Sequence, residues 1–219
     1  MKNPVSITYY SDILCIWAYC AQVRVDEIRV RFADEVEIDF RFISVFGNTQ
    51  LKIGDGWKDR GGFEGYDDHV REVAERFLHV DVHPQLCRKT RPASSASPHL
   101  FLKAVHLAHG ASLEKTTWAL RRAFFKEALD IADAKVQWRI AGELDLPLKD
   151  IETTLKNGMA MAALCEDYQM QREHSIEGSP TFLLNDGRQR LFGNVGYRVI
   201  EANIQELLRA TDSSQASWC

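Results

Sequence analysis

The chain has 219 residues, 45% of them hydrophobic and 26% charged. That is the ordinary balance of a soluble globular protein long enough to bury a real core. Lysine and arginine number 27 against 31 aspartates and glutamates, a formal net charge of -4, which argues against nucleic acid or an anionic membrane as partner. No apolar run approaches membrane-spanning length, and MKNPVSITYY lacks the apolar stretch of a secretory leader, so a cytoplasmic protein is expected.

Val5 to Tyr10 is rich in β-branched and aromatic residues and predicts a buried strand, broken at Ser11 and Asp12. From Ile16 the apolar residues take helical spacing: Ile16, Trp17, Tyr19, Val23, Ile28 and Phe32 share one broad face. Cys15 therefore falls where a strand has ended and a helix begins. Free backbone N–H groups and the positive end of the helix dipole converge there, so a thiolate is expected to be stabilised and its pKa to fall. The plainer alternative is a buried apolar cysteine. The other cysteines are Cys20, Cys87, Cys165 and Cys219, odd in total and scattered, with no C-x-x-C pair. A structural disulfide framework is not expected. Cys15 and Cys20 would point about 140° apart on a helix.

Val36 to Ser44 alternates as a strand does, completing a βαβ unit. Residues 45 to 65 are glycine-rich and predict a long functional loop without phosphate-loop spacing. Helices then fill Tyr66 to Ile176. The first runs from Asp67 to Leu78, and Ser97 with Pro98 opens a second that closes near His109 at Gly110. Ser112 caps a third through Leu129, and Asp133 caps a fourth to about Leu144. A short helix from Lys149 to Lys156 and a long one from Met159 to His174 follow. Thr181 to Asn185, the turn Asp186–Gly187 and Arg188 to Phe192 predict a hairpin, and Tyr197 to Ala210 a terminal helix. The expected class is α/β: a discontinuous core of residues 1–60 and 172–212, an all-helical insertion of residues 61–171, and a flexible tail of residues 213–219.

Two motifs combine: Cys15-Ile16-Trp17-Ala18 after the first strand, and Gly178-Ser179-Pro180-Thr181 before the hairpin. Together with the element order they resemble the DsbA-like branch of the thioredoxin superfamily. That branch includes the FrnE-like proteins, the kappa-class glutathione transferases and the 2-hydroxychromene-2-carboxylate isomerases. The resemblance implies a thioredoxin-like fold of DsbA type, with a cis Ser179–Pro180 bond opposite a reactive Cys15. FrnE-like proteins show D-x-x-C-P-W-C-Y; here Asp12, Cys15, Trp17 and Tyr19 match, while Ile16 replaces the proline and Ala18 the resolving cysteine. A mixed disulfide at Cys15 then needs a second thiol from glutathione, or from Cys20, Cys87 or Cys165. The relatives without C-x-x-C hold glutathione's thiol by a single hydroxyl at the Cys15 position. The turn they use for its γ-glutamyl end matches Phe192-Gly193-Asn194-Val195, with Val195 where an aspartate often stands.

The resemblance also implies roles for Ser179, Asn194, Lys52 and His99 in binding substrate or glutathione, with Cys15, Trp17 and Pro180 as the catalytic set. Each has a blander reading: Trp17 as a core residue, His99 as a solvated helix-start histidine, Lys52 and Lys58 as solvated loop lysines. Arg121 and Arg122 are expected on a solvated helix face, and His106 with His109 lacks the partners a metal site needs. No tightly bound cofactor and no metal are expected, with glutathione as co-substrate and a homodimer left open. Three functions fit. The first is a cytoplasmic thiol–disulfide oxidoreductase acting through Cys15 on a small thiol or disulfide. The others are a glutathione-dependent transferase or isomerase acting on a small electrophile, and a non-catalytic peptide-binding module.

Overall fold

Strand β1 (Val5–Ser11) is central, and that explains its composition: it pairs on both edges and is buried almost throughout. The computed structural model describes residues 4–209, so the expected tail lies outside the described residues. β2 (Val36–Phe42) pairs parallel to β1, from Val5 opposite Val36 to Ser11 opposite Phe42. A parallel pair needs a crossover, which α1 (Ile16–Phe32) supplies. β3 (Thr181–Leu184) runs antiparallel to β1, and β4 (Gln189–Phe192) antiparallel to β3, giving the order β2-β1-β3-β4. Asp186 and Gly187, at φ 54° and 98°, form the centre of the hairpin turn, and Arg188 N–H closes it on Asn185 O at 3.1 Å. Both central residues need positive φ, so the Asp-Gly pair suits this turn.

Among the described residues eight helices follow α1: α2 (Gly62–Ala74), α3 (Leu86–Lys89), α4 (Ala96–His109), α5 (Leu113–Phe125), α6 (Ala134–Glu143), α7 (Leu148–Lys156), α8 (Met159–Glu173) and α9 (Tyr197–Arg209). α9 packs on β1 through Ile200, Ile204 and Leu207, spaced to share one face. α8 packs beside β2, where buried Asp167 accepts from Phe42 N–H at 2.9 Å, Arg41 Nη1 at 3.0 Å and Lys103 Nζ at 2.9 Å. One carboxylate thus ties α4 and α8 to the sheet.

Several boundaries differ from the sequence expectation. The glycine-rich stretch is not all loop: residues Gln50–Asp55 and Lys58–Arg60 form short helical turns. α2 begins at Gly62 rather than Asp67, after Gly61 and Gly62 turn the chain at φ 91° and 59°. Ser95, not Ser97, precedes α4; the Ser97 hydroxyl donates instead to Ala132 O at 3.0 Å. α5 stops at Phe125 rather than Leu129, where Leu129 N–H folds back onto Ala123 O at 2.9 Å. The four-residue α3 carries no periodicity and was not expected. Asp133 caps α6 as predicted, accepting from Lys135 N–H at 2.8 Å.

Candidate active site

The turn between β1 and α1 has no regular structure, so each of its backbone donors needs a partner of its own. Asp12 N–H donates to Ser179 Oγ at 2.9 Å, and Ile13 N–H to His99 Nε2 at 3.0 Å. Leu14 N–H donates to Asp12 Oδ1 at 2.9 Å, and Cys15 N–H to Asp12 O at 3.1 Å. Four consecutive donors are satisfied, and the turn delivers Cys15 to the N-cap of α1. Opposite it, the Ser179–Pro180 peptide is cis. Cys15 Sγ–H donates to Ser179 O at 3.2 Å, and Gly193 N–H donates to Pro180 O at 2.8 Å. A Cβ on Gly178 would lie 2.4 Å from Phe192 Cε2, so glycine lets this ring pass against the loop.

Cys15 is only 5% exposed. Burial pushes its thiol up, and the Asp12 charge adds to that, while the Ser179 side chain and the backbone N–H groups of Ala18 and Trp17 pull the other way. The sequence expectation of a lowered pKa is therefore corrected: desolvation outweighs the helix start. Asp12 is fully buried. Burial raises its carboxyl to about 6, against hydrogen bonds from Phe46, Leu14 and Ser95 that favour the charged form.

His99 is also fully buried and lies stacked on Phe42, ring centroids 4.9 Å apart. Burial, aided by Arg121 and Lys103, lowers it to about 3. It is neutral, with Nε2 accepting from Ile13, so its proton sits on Nδ1. The solvated reading of His99 is corrected: it is fully buried, with Nε2 taken up by Ile13 N–H.

Trp17 is half-buried and meets His69 and Phe77 edge-on at 6.4 and 6.5 Å, so it packs toward α2. Lys52 is exposed on the first short helical turn, and Asn194 is exposed in the turn that Gly193 ties to Pro180. Ser179 and Pro180 are brought to Cys15, whereas neither Lys52 nor Asn194 hydrogen-bonds to it. Arg121 is not on a solvated face: it is fully buried, donating to Gln22 Oε1 at 2.8 Å and Ser11 Oγ at 3.1 Å. Arg122 is exposed as expected. Cys20 and Cys87 are buried and Cys165 is exposed. A small apolar cavity beside Leu14 is lined by Phe46, Ile53, Phe63, Tyr66, Cys87 and Phe124, among others. Among the described residues no cluster of three or more histidines, cysteines or carboxylates is placed to hold a metal.

Sequence reasoning missed Asp12, Ser95 and Tyr66 as site residues. Asp12 carried a signal, as a carboxylate at the strand end just ahead of Cys15. Tyr66 carried none, since its burial depends on Phe46 and Trp57, whose rings lie 5.9 and 5.2 Å away.

The chain belongs to the DSBA-like thioredoxin domain family, whose profile matches residues 6–205. Solved structures repeat the fold at low identity. A candidate protein disulfide isomerase from Nitrosomonas europaea superposes with TM-score 0.78 at 13% identity, covering 96% of this chain and 100% of its own. The cytosolic disulfide reductase DsbM from Pseudomonas aeruginosa gives 0.68 at 18%, covering 92% and 99%. A 2-hydroxychromene-2-carboxylate isomerase gives 0.66 at 15%, covering 93% and 96%. No curated protein matches the sequence.

Proposed function

We propose that this protein is a cytoplasmic thiol–disulfide exchange enzyme in which Cys15 is the sole nucleophile and glutathione, or another small thiol, the co-substrate. One observation carries the reading. Cys15 Sγ stands at a helix start, 3.2 Å from the Ser179 carbonyl beside cis-Pro180, with Ala18 where a second thiol would resolve it. DsbM, similar in fold, has also been solved with GSH, which supports the choice of thiol.

In the first step the Cys15 thiol gives its proton to solvent. The thiolate attacks one sulfur of a disulfide R–S–S–R′; the S–S bond breaks, a Cys15–S–S–R bond forms and R′S⁻ leaves. In the second step glutathione thiolate attacks the R sulfur, forming R–S–S–glutathione and returning Cys15 as thiolate. Ser179 and Pro180 present backbone groups to an extended substrate, while Asn194 and Lys52 are assigned to the glutathione ends. Trp17 is assigned to the catalytic set through its backbone N–H, which favours the Cys15 thiolate. His99 holds the turn rather than the substrate. The exchange site is assigned to the junction of the core and the helical insertion, because the Cys15 turn bonds both to Ser179 and to His99 of α4.

A second reading, a glutathione-dependent transferase or isomerase for a small electrophile, is supported by the fold shared with a 2-hydroxychromene-2-carboxylate isomerase. The separating experiment is reduction of a mixed-disulfide peptide by wild type and Cys15→Ser, with and without reduced glutathione. Turnover that needs both Cys15 and glutathione is expected. Turnover that survives Cys15→Ser contradicts the proposal, and isomerisation independent of Cys15 selects the second reading.

A further inference from the structure

Asp12 is bound from three directions. Its Oδ1 accepts from Leu14 N–H at 2.9 Å and lies 3.8 Å from His99 Nε2. Its Oδ2 accepts from Phe46 N–H at 2.8 Å and from the Ser95 hydroxyl at 2.8 Å. Phe46 follows β2, and Ser95 precedes α4. One carboxylate therefore joins the Cys15 turn, the start of the glycine-rich segment and the N-terminus of α4.

Its neighbours decide what its charge does. Cys15 is on its own turn, Tyr66 on α2, His99 on α4 and Tyr168 on α8, and all of them sense the carboxylate. Arg121 of α5 is engaged one residue away, on Ser11. Tyr66, His99 and Tyr168 are uncharged near neutral pH, Tyr66 and Tyr168 because burial raises them and His99 because burial lowers it. Cys15 is the nearby group left to respond to Asp12 by losing a proton.

We propose that Asp12 is a positioning residue for the chemistry at Cys15: its carboxylate fixes the turn that carries the thiol and, when ionised, holds that thiol protonated. The inference deepens the exchange function proposed above and rests on it, though its test does not. Cys15 N–H bonds to the Asp12 carbonyl at 3.1 Å, Leu14 N–H holds the Asp12 carboxylate beside that turn, and the Asp12 charge raises the thiol. Ionisation of Asp12 near pH 6 makes the next proton, on Cys15, harder to remove. The thiolate fraction therefore rises less steeply with pH through that region than for an isolated thiol.

The test is the iodoacetamide alkylation rate of Cys15 between pH 5 and 9, read by peptide mass mapping, with the other cysteines as internal references. In wild type the logarithm of the rate should flatten through about pH 6 and then steepen again. In Asp12→Asn the flattening should vanish and the rate at pH 8 should rise on the order of threefold or more. A purely structural role would change the rate by one factor at all pH values and leave the shape intact. Should Asp12→Asn fail to fold, Ser95→Ala decides. Loss of one hydrogen bond to the ionised carboxylate should move the flattened region to higher pH. A wild-type profile of unit slope through pH 6, or a Ser95→Ala profile superimposable on wild type, overturns the inference. A protein that turns over no disulfide yet shows the step refutes the exchange function and leaves this inference standing.

Discussion

Cys15 Sγ donates a hydrogen bond to the carbonyl oxygen of Ser179 at 3.2 Å, joining residues 164 positions apart. A carbonyl acceptor favours the protonated sulfur, and burial acts in the same direction. The free protein therefore rests with Cys15 as a thiol. Its alkylation rate should keep climbing as pH passes 9 rather than level off near neutrality, because the thiol lies above its ordinary value of 9.0. Among the buried cysteines it should still react faster than Cys20 and Cys87, both pushed up to about 12 by burial. Peptide mapping after limited iodoacetamide checks the order, and faster labelling of Cys20 or Cys87 would move the site elsewhere. Cys165 labels separately, through exposure alone.

Ala18→Cys supplies the missing second thiol. Ala18 N–H bonds to Cys15 O at 3.1 Å, so the two positions share the first turn of α1. An internal thiol acts at an effective concentration on the order of mM or above. The variant should reduce a mixed-disulfide peptide by two successive exchanges, release both thiol products without added glutathione, and retain the disulfide between residues 15 and 18. Equal inactivity of wild type and variant, with and without glutathione, would favour the transferase or binding functions.

His99 and Asp12 give opposite pH dependences to stability. His99 is lowered from 6.5 to about 3, so the folded state binds fewer protons than the unfolded one between those values. Stability from this residue is complete above pH 6.5 and is lost as pH falls toward 3, on the order of 5 kcal/mol in all. Asp12 is raised from 3.8 to about 6, so stability is lost as pH rises through that window, on the order of 3 kcal/mol. The two nearly cancel between pH 4 and 6. In His99→Gln only the Asp12 dependence remains. The variant should be less stable than wild type by about 2 kcal/mol at pH 7, and the gap should close as pH falls to 4.5. Urea unfolding at the two pH values measures it; a constant gap would mean that His99 is not buried neutral.

The strand of Val5 to Ser11, the helix after Cys15 and the Asp186–Gly187 hairpin were legible because each is set by neighbouring residues: an apolar period or a turn that needs positive φ. The placement of Cys15 at the helix start and the cis bond at Pro180 were legible from two short motifs and a family resemblance. The turn's polar scaffold was not, since Asp12 finds Phe46 34 residues away, Ser95 83 residues away and Ser179 167 residues away. The direction of the Cys15 shift was misread for the same reason. A helix start is visible in sequence, whereas the burial that outweighs it belongs to the assembled fold. Arg121 sits on a helix of mixed polarity, and its burial follows from acceptors on Ser11 and Gln22, two distant elements.

Incubation with oxidised glutathione, followed by intact mass and peptide mapping, tests Cys15 as a monothiol nucleophile most directly. One glutathionyl group should appear on Cys15, persist without rearranging to an internal disulfide, and leave on addition of reduced glutathione. Cys15→Ser should lack it. An adduct confined to Cys165, or an internal disulfide between Cys15 and Cys20 or Cys87, would contradict a thiol that depends on a small partner to resolve it.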